Sequence, residues 1–147
     1  MRKIIIFTIA VSMIYSGIAQ PSTDKHLKKF ANKFAKAVLS GKPENCLPYF
    51  EKEYVIEQHD VFLKGNTMQF VSEYIFGFSD ISPEFSHLSR SVFYDIREMT
   101  FSDILQDKYG QVSIIYDIIL KDGQYIKLSA PVIIYGKKSY GFRGAMG

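Results

Sequence analysis

His59 and Asp60 stand side by side in "YVIEQHDVFLKGNTMQF", residues 54–70. An imidazole beside a carboxylate is raw material for general acid–base chemistry. Adjacency argues against that use, because neighbours on an extended chain point to opposite sides and side chains that act together usually come from different elements. Both residues therefore read first as loop and cap residues. Asp117 is the other titratable group of interest, since it interrupts the apolar run "VSIIYDIIL". A carboxylate among aliphatic side chains is costly unless paired or protonated, and groups held against that cost are typical of functional sites. His59, Tyr74 and Tyr94 are its candidate neighbours. Asp117, His59, Tyr74 and Tyr94 thus form a candidate ligand-binding set, with no catalytic residue assigned.

The remaining reactive residues offer less. Cys46 is the single cysteine, so no intrachain disulfide forms, and its place in an apolar helical pattern reads as a buried inert thiol. His26 and His87 lack ligand spacing with His59, so neither a metal nor a cofactor is expected. Nucleophile elbow, phosphate loop and base-stacking platform are all missing.

Residues 1–19 have the layout of a cleaved export signal: Arg2 and Lys3, the apolar run Ile4–Ile14, then Gly17 and Ala19 as the small residues before the cut. Eleven apolar residues fall short of the roughly 20 that span a bilayer. Cleavage after Ala19 predicts a periplasmic or secreted chain with a single domain over residues 20–147. The whole sequence has 18 basic and 15 acidic residues; Arg2 and Lys3 leave with the signal, so the mature chain keeps one net positive charge. That balance argues against nucleic acid as a partner, and no membrane partner is expected after cleavage.

The elements that must position these residues follow from periodicity. Leu27, Phe30, Ala31, Phe34, Ala35 and Val38 repeat at helical spacing, with Lys25, Lys28, Lys29, Lys33 and Lys36 on the other side. A solvated charged face is the simpler reading of those lysines. Ser22, Thr23 or Asp24 can cap this helix, Gly41 ends it, and Pro43 restarts a short helix that buries Leu47 and Phe50. Residues 54–62 read as an extended segment or loose helical turn, followed by a tight turn at Lys64-Gly65. Asn66 and Gln69 have capping-box spacing for a third helix that turns Met68, Val71, Tyr74, Ile75 and Phe78 inward.

From Ser91 the pattern becomes strand-like, with Val92, Tyr94 and Ile96 alternating against Phe93, Asp95 and Arg97. Asp95 and Arg97 are expected to form a surface ion pair. Asp122-Gly123 signals a two-residue hairpin loop. That loop pairs Lys121 with Gln124 and sets Asp117 opposite Leu128, among Ile115, Ile119, Ile126 and Ala130. On the opposite face Ile114, Tyr116, Ile118 and Leu120 meet Tyr125, Lys127, Ser129 and Pro131, which is too apolar for water alone. Alternatively, Asp117 lies on the convex face or accepts a hydrogen bond from a tyrosine. Pro131 requires an edge or bulge, and a last strand covers Lys138 to Phe142.

"FANKFAKAVLSGKPENCLPYF", the "GNTMQF" restart and the meander from Ser91 to Phe142 together resemble the NTF2-like, or cystatin-like, superfamily. The resemblance spans nearly all of the mature chain. It implies an α+β fold in which N-terminal helices pack in the concave face of a curved antiparallel sheet, and a homodimer formed through the outer sheet face. The cystatin inhibitory Gln-x-Val-x-Gly loop is absent, since Gln111 and Val112 are adjacent. Function then reads as an exported non-catalytic binding domain holding a small apolar ligand or a protein partner. The alternative is a small-molecule lyase or isomerase, as some NTF2-like proteins are, with an inward carboxylate as general base. Nearly aliphatic and aromatic inward positions favour binding.

Overall fold

The computed structural model describes residues 21–77, 92–136 and 138–144. Residues 1–19, read from sequence as an export signal, Phe78 and His87 lie outside them. The first described helix, α1, runs Pro21–Leu39, and Ser22, Thr23 and Asp24 are helical residues of it. Leu27, Ala31, Phe34, Ala35 and Val38 are buried and all five lysines are exposed, as the periodicity requires. Ser40 closes the helix by donating its hydroxyl to the Ala37 carbonyl at 2.6 Å, and Gly41 turns the chain with φ of 74°.

Pro43–Tyr49 is a 3₁₀ helix that buries Cys46. Burial and the Glu44 carboxylate push the Cys46 thiol up to about 12, which leaves it protonated and unreactive at neutral pH. Lys52–Tyr54 then starts a helical stretch that widens into a π-helix, Val55–Phe62, where the sequence suggested an extended segment or loose turn. Lys64 and Gly65 make the tight turn with φ of 51° and 79°. Helix α2, Thr67–Gly77, is capped as expected: the Gln69 N–H donates to Asn66 Oδ1 at 3.1 Å, and Asn66 Nδ2 donates to Gln69 Oε1 at 3.3 Å.

Val92–Asp95 is a 3₁₀ turn, so strand alternation starts only at Ile96. Strands β1 (Ile96–Gln106), β2 (Val112–Leu120), β3 (Tyr125–Tyr135) and β4 (Ser139–Phe142) form one antiparallel sheet in that order. The fold is α+β, with the helices packed against the sheet. Register shifts in β1 between Ile96 and Glu98 and between Phe101 and Asp103 mark irregularities that bend the strand. They also keep Ile96, Met99, Phe101 and Ile104 on the side of the core. Arg97 pairs with Glu98 at 3.4 Å instead of the expected Asp95, which belongs to the preceding turn.

The β2–β3 connection corrects the expected register. Leu120 N–H donates to the Gln124 carbonyl and Gly123 N–H to the Leu120 carbonyl, both at 2.9 Å, with Gly123 at φ of 90°. The loop is therefore three residues long, a tight turn followed by a left-handed glycine, rather than the two-residue Asp-Gly turn. Asp122 supports it by accepting the Gln124 N–H at 2.9 Å. One extra loop residue shifts every pair by one, so Asp117 faces Lys127 rather than Leu128. Ile114, Tyr116, Ile118 and Leu120 point into the core with Ile126, Leu128 and Ala130. The outer face carries Ile115, Asp117, Ile119, Tyr125, Lys127, Ser129 and Pro131.

Aromatic rings fill the space between α1 and the sheet. Phe142 lies 4.6 Å from Phe34, 5.1 Å from Phe30 and 6.4 Å from Tyr116, centre to centre. Tyr116 donates its buried hydroxyl to the Ala31 carbonyl at 2.9 Å, tying β2 to the middle of α1. At the β4 edge, a Cβ on Gly141 would lie 3.1 Å from Glu51 N and 3.2 Å from Glu51 Cα, so glycine lets the backbones meet. There Glu51 N–H donates to the Phe142 carbonyl at 2.7 Å. Pro131 fits as expected: its carbonyl accepts from Arg143 N–H at 3.3 Å, so its missing donor faces the end of the β3–β4 ladder.

Candidate functional site

His59 and Asp60 do touch. The π-helix places Asp60 Oδ1 2.6 Å from His59 Nδ1, overturning the argument from adjacency, which holds for extended chain and not for this wide helix. His59 Nε2 lies 2.8 Å from Thr67 Oγ1, at the first position of α2. A carboxylate can only accept, so Nδ1 donates to Asp60, and in the neutral imidazole Nε2 then accepts the Thr67 hydroxyl. Carboxylate, imidazole and hydroxyl in this order are the parts that activate a hydroxyl nucleophile elsewhere.

Exposure runs the other way from that use. Asp60 is the open end, with its side chain 55% exposed, while the imidazole is buried edge-on against Phe70 at 5.5 Å. The arrangement spans the turn from the π-helix to α2, and the His59 carbonyl also accepts from Gly65 N–H across that turn at 2.7 Å. It is a strap. Thr67→Val keeps the shape but leaves the buried Nε2 without its partner, and should cost about 1–3 kcal/mol in urea unfolding. A change below a few tenths would mean that the imidazole carries no structural burden.

The other candidates do not converge on it. Tyr74 is fully buried and shares the aromatic core, edge-on to Phe50 at 4.8 Å; Phe50 in turn meets Phe70 at 4.9 Å, so Tyr74 and His59 flank one cluster. Burial pushes the Tyr74 phenol well above its ordinary value, as expected of a dry interior. Tyr94 is 51% exposed in the turn before β1, with its ring against Phe93. Asp117 is half-buried on the outer face and accepts a hydrogen bond from the Tyr125 hydroxyl. That bond is the first cause holding the Tyr125 phenol above its ordinary value.

Sequence reasoning missed Thr67 and Arg143; the outer-face position of Asp117 and its tyrosine bond match the convex-face reading, which did not single out Tyr125. Arg143 and Gly144 separate two surface grooves. One, of about 360 Å³, is lined by Glu51, Glu53, Tyr54, Glu57 and Gln58; the other, of about 590 Å³, by Asp107, Tyr109, Gln111 and Pro131. Thr67 was findable only in part, since the Asn66 cap announces the helix start but a π-helix has no simple sequence period. Among the described residues no group of three or more His, Cys, Asp or Glu could hold a metal ion, and no helix is long and apolar enough to cross a membrane. No protein-family model matches the chain, and neither a curated protein nor a solved structure matches it.

Proposed function

We propose that the chain is a non-catalytic binding domain that engages a protein partner through the outer face of its sheet, a second copy of the same chain being that partner. The supporting observation is the make-up of this face. Ile115 is only 5% exposed yet lies outside the core cluster, and Tyr125 and Tyr135, towards the two ends of β3 on the same face, are 59% and 44% exposed. Tyrosines on a rigid sheet give large contact area at low entropic cost, and the bond to Asp117 orients Tyr125 in advance. Glu98, Thr100, Lys127 and Ser129 supply polar groups for a rim. A two-fold dimer requires one such self-complementary patch.

A small apolar ligand held between α1 and the sheet is less well supported, since Phe34, Tyr116 and Phe142 occupy that space. The lyase or isomerase reading loses its inward base, because Asp117 and Tyr125 lie outside. Export from the cytoplasm, on the pattern of residues 1–19, and NTF2-like kinship, on the order of helices and strands, belong to the same proposal.

Light scattering over about 10–200 μM, a range that spans typical weak homodimers, tests the binding face. The wild type is expected to be dimeric and Ile119→Lys monomeric with an unchanged melt. A wild-type monomer throughout would refute the reading.

A further inference from the structure

The solvent face of α1 goes beyond this reading. Lys25, Lys28, Lys29, Lys33 and Lys36 are all exposed, and at about 100° per residue they fall within a sector of about 140°. They extend over about 16 Å of helix. No acidic residue occurs between Lys25 and Pro43 in the sequence. Lys25 with Lys29 and Lys29 with Lys33 are like-charge pairs four residues apart, which destabilise a helix. The ion pairs among the described residues involve His59 with Asp60 and Arg97 with Glu98, and none of these lysines; Lys28 instead lies over the Phe101 ring at 5.6 Å. Among the described side chains these lysines thus have no ion-pair partner, on a helix whose other face is locked into the core.

We infer that this lysine face docks on an anionic lipid bilayer. The strip runs along the solvent face of one helix, and where Lys33 and Lys36 border a groove its other lining includes Glu44, whose carboxylate disfavours seating a linear polyanion there. Leu39, 44% exposed, lies in the same sector at its end and adds an apolar contact. Glu44 borders the strip beside Lys33 and Lys36, but three other carboxylates, Glu51, Glu53 and Glu57, line a separate groove, so an anionic surface can orient the domain. Adsorption of this kind needs no spanning helix.

The test is co-sedimentation of the chain from Gln20, which retains every core residue, with vesicles of about 30% phosphatidylserine in phosphatidylcholine at about 0.05 M salt, where screening is weak. Binding is expected there, absent on pure phosphatidylcholine and lost at about 0.5 M salt. At about fivefold per lysine, Lys29→Gln/Lys33→Gln should weaken partitioning about thirtyfold, with a melt unchanged or raised as the like-charge pair is relieved. Lys25→Gln/Lys36→Gln should do the same and guards against a local folding fault. Failure of the wild type to bind, equal binding to neutral vesicles, or undiminished binding by both variants overturns the inference. So does tighter binding to heparin or DNA than to vesicles at the same salt, which would identify a linear polyanion instead.

Discussion

Ile118→Lys should unfold the protein, while Ile119→Lys, one position along the same strand, should leave it folded. Ile118 is fully buried, opposite Ile126 and Met99, inside the sheet. Replacing it removes packing worth about 2–5 kcal/mol and forces an ammonium into a place without a counter-charge. The combined loss reaches the total stability of a typical domain, about 5–15 kcal/mol. Ile119 points outward and is half-buried, so lysine there can reach water along its own stem. Circular dichroism melts of the two variants read the register directly. The two-residue turn expected from Asp122-Gly123 predicts the reverse, with Ile118 tolerant.

Phe142→Ala should cost about 3–5 kcal/mol, the range for a large ring removed from a packed core. The ring is fully buried and lies within 6.4 Å, centre to centre, of Phe30, Phe34, Phe50, Tyr74 and Tyr116. It belongs to a four-residue strand, which is held by its ladder to β3, the Glu51 bond to the Phe142 carbonyl and the packing of Tyr140 on Phe30 at 5.4 Å. Urea unfolding should show a lowered midpoint with an unchanged slope. Tyr109→Ala, at an 83% exposed tip, should change stability by less than about 0.5 kcal/mol. A loss below about 1 kcal/mol for Phe142→Ala would mean that the rings do not close over α1 as described.

What could be read from sequence was local. The α1 period, the stop at Gly41 and the Asn66 cap are each decided within a turn or two of helix, where propensity and side-chain spacing act together, whereas α2 buries Phe70, Ser72 and Phe76 beside the expected Val71, Tyr74 and Ile75. Long-range register was not legible. Asp122-Gly123 is compatible with a two-residue loop and with a three-residue loop ending in a left-handed glycine, and only packing of Ile118 and Leu128 into the core selects between them. That single choice decides the surroundings of Asp117: a two-residue loop sets it among aliphatic side chains, whereas the three-residue loop puts it on the outer face with a tyrosine partner, in line with the convex-face reading of the sequence. The irregularities of β1 hid in the same way, because strict alternation cannot place both Met99 and Ile104 inside. His59 was misjudged for a third reason, since contact with both Asp60 and Thr67 depends on a π-helix that has no sequence signature.

Hydroxyl-radical footprinting read by mass spectrometry, run from low to high micromolar protein, tests the central claim that the inside of the sheet is filled and its outer face is the binding surface. Tyr125 and Tyr135 should become protected as concentration rises, while Tyr109 is oxidised equally throughout and Tyr74 and Tyr116 stay unmodified at every concentration. Oxidation of Tyr125 in constant proportion to Tyr109, or any ready oxidation of Tyr116 in the folded protein, would contradict it.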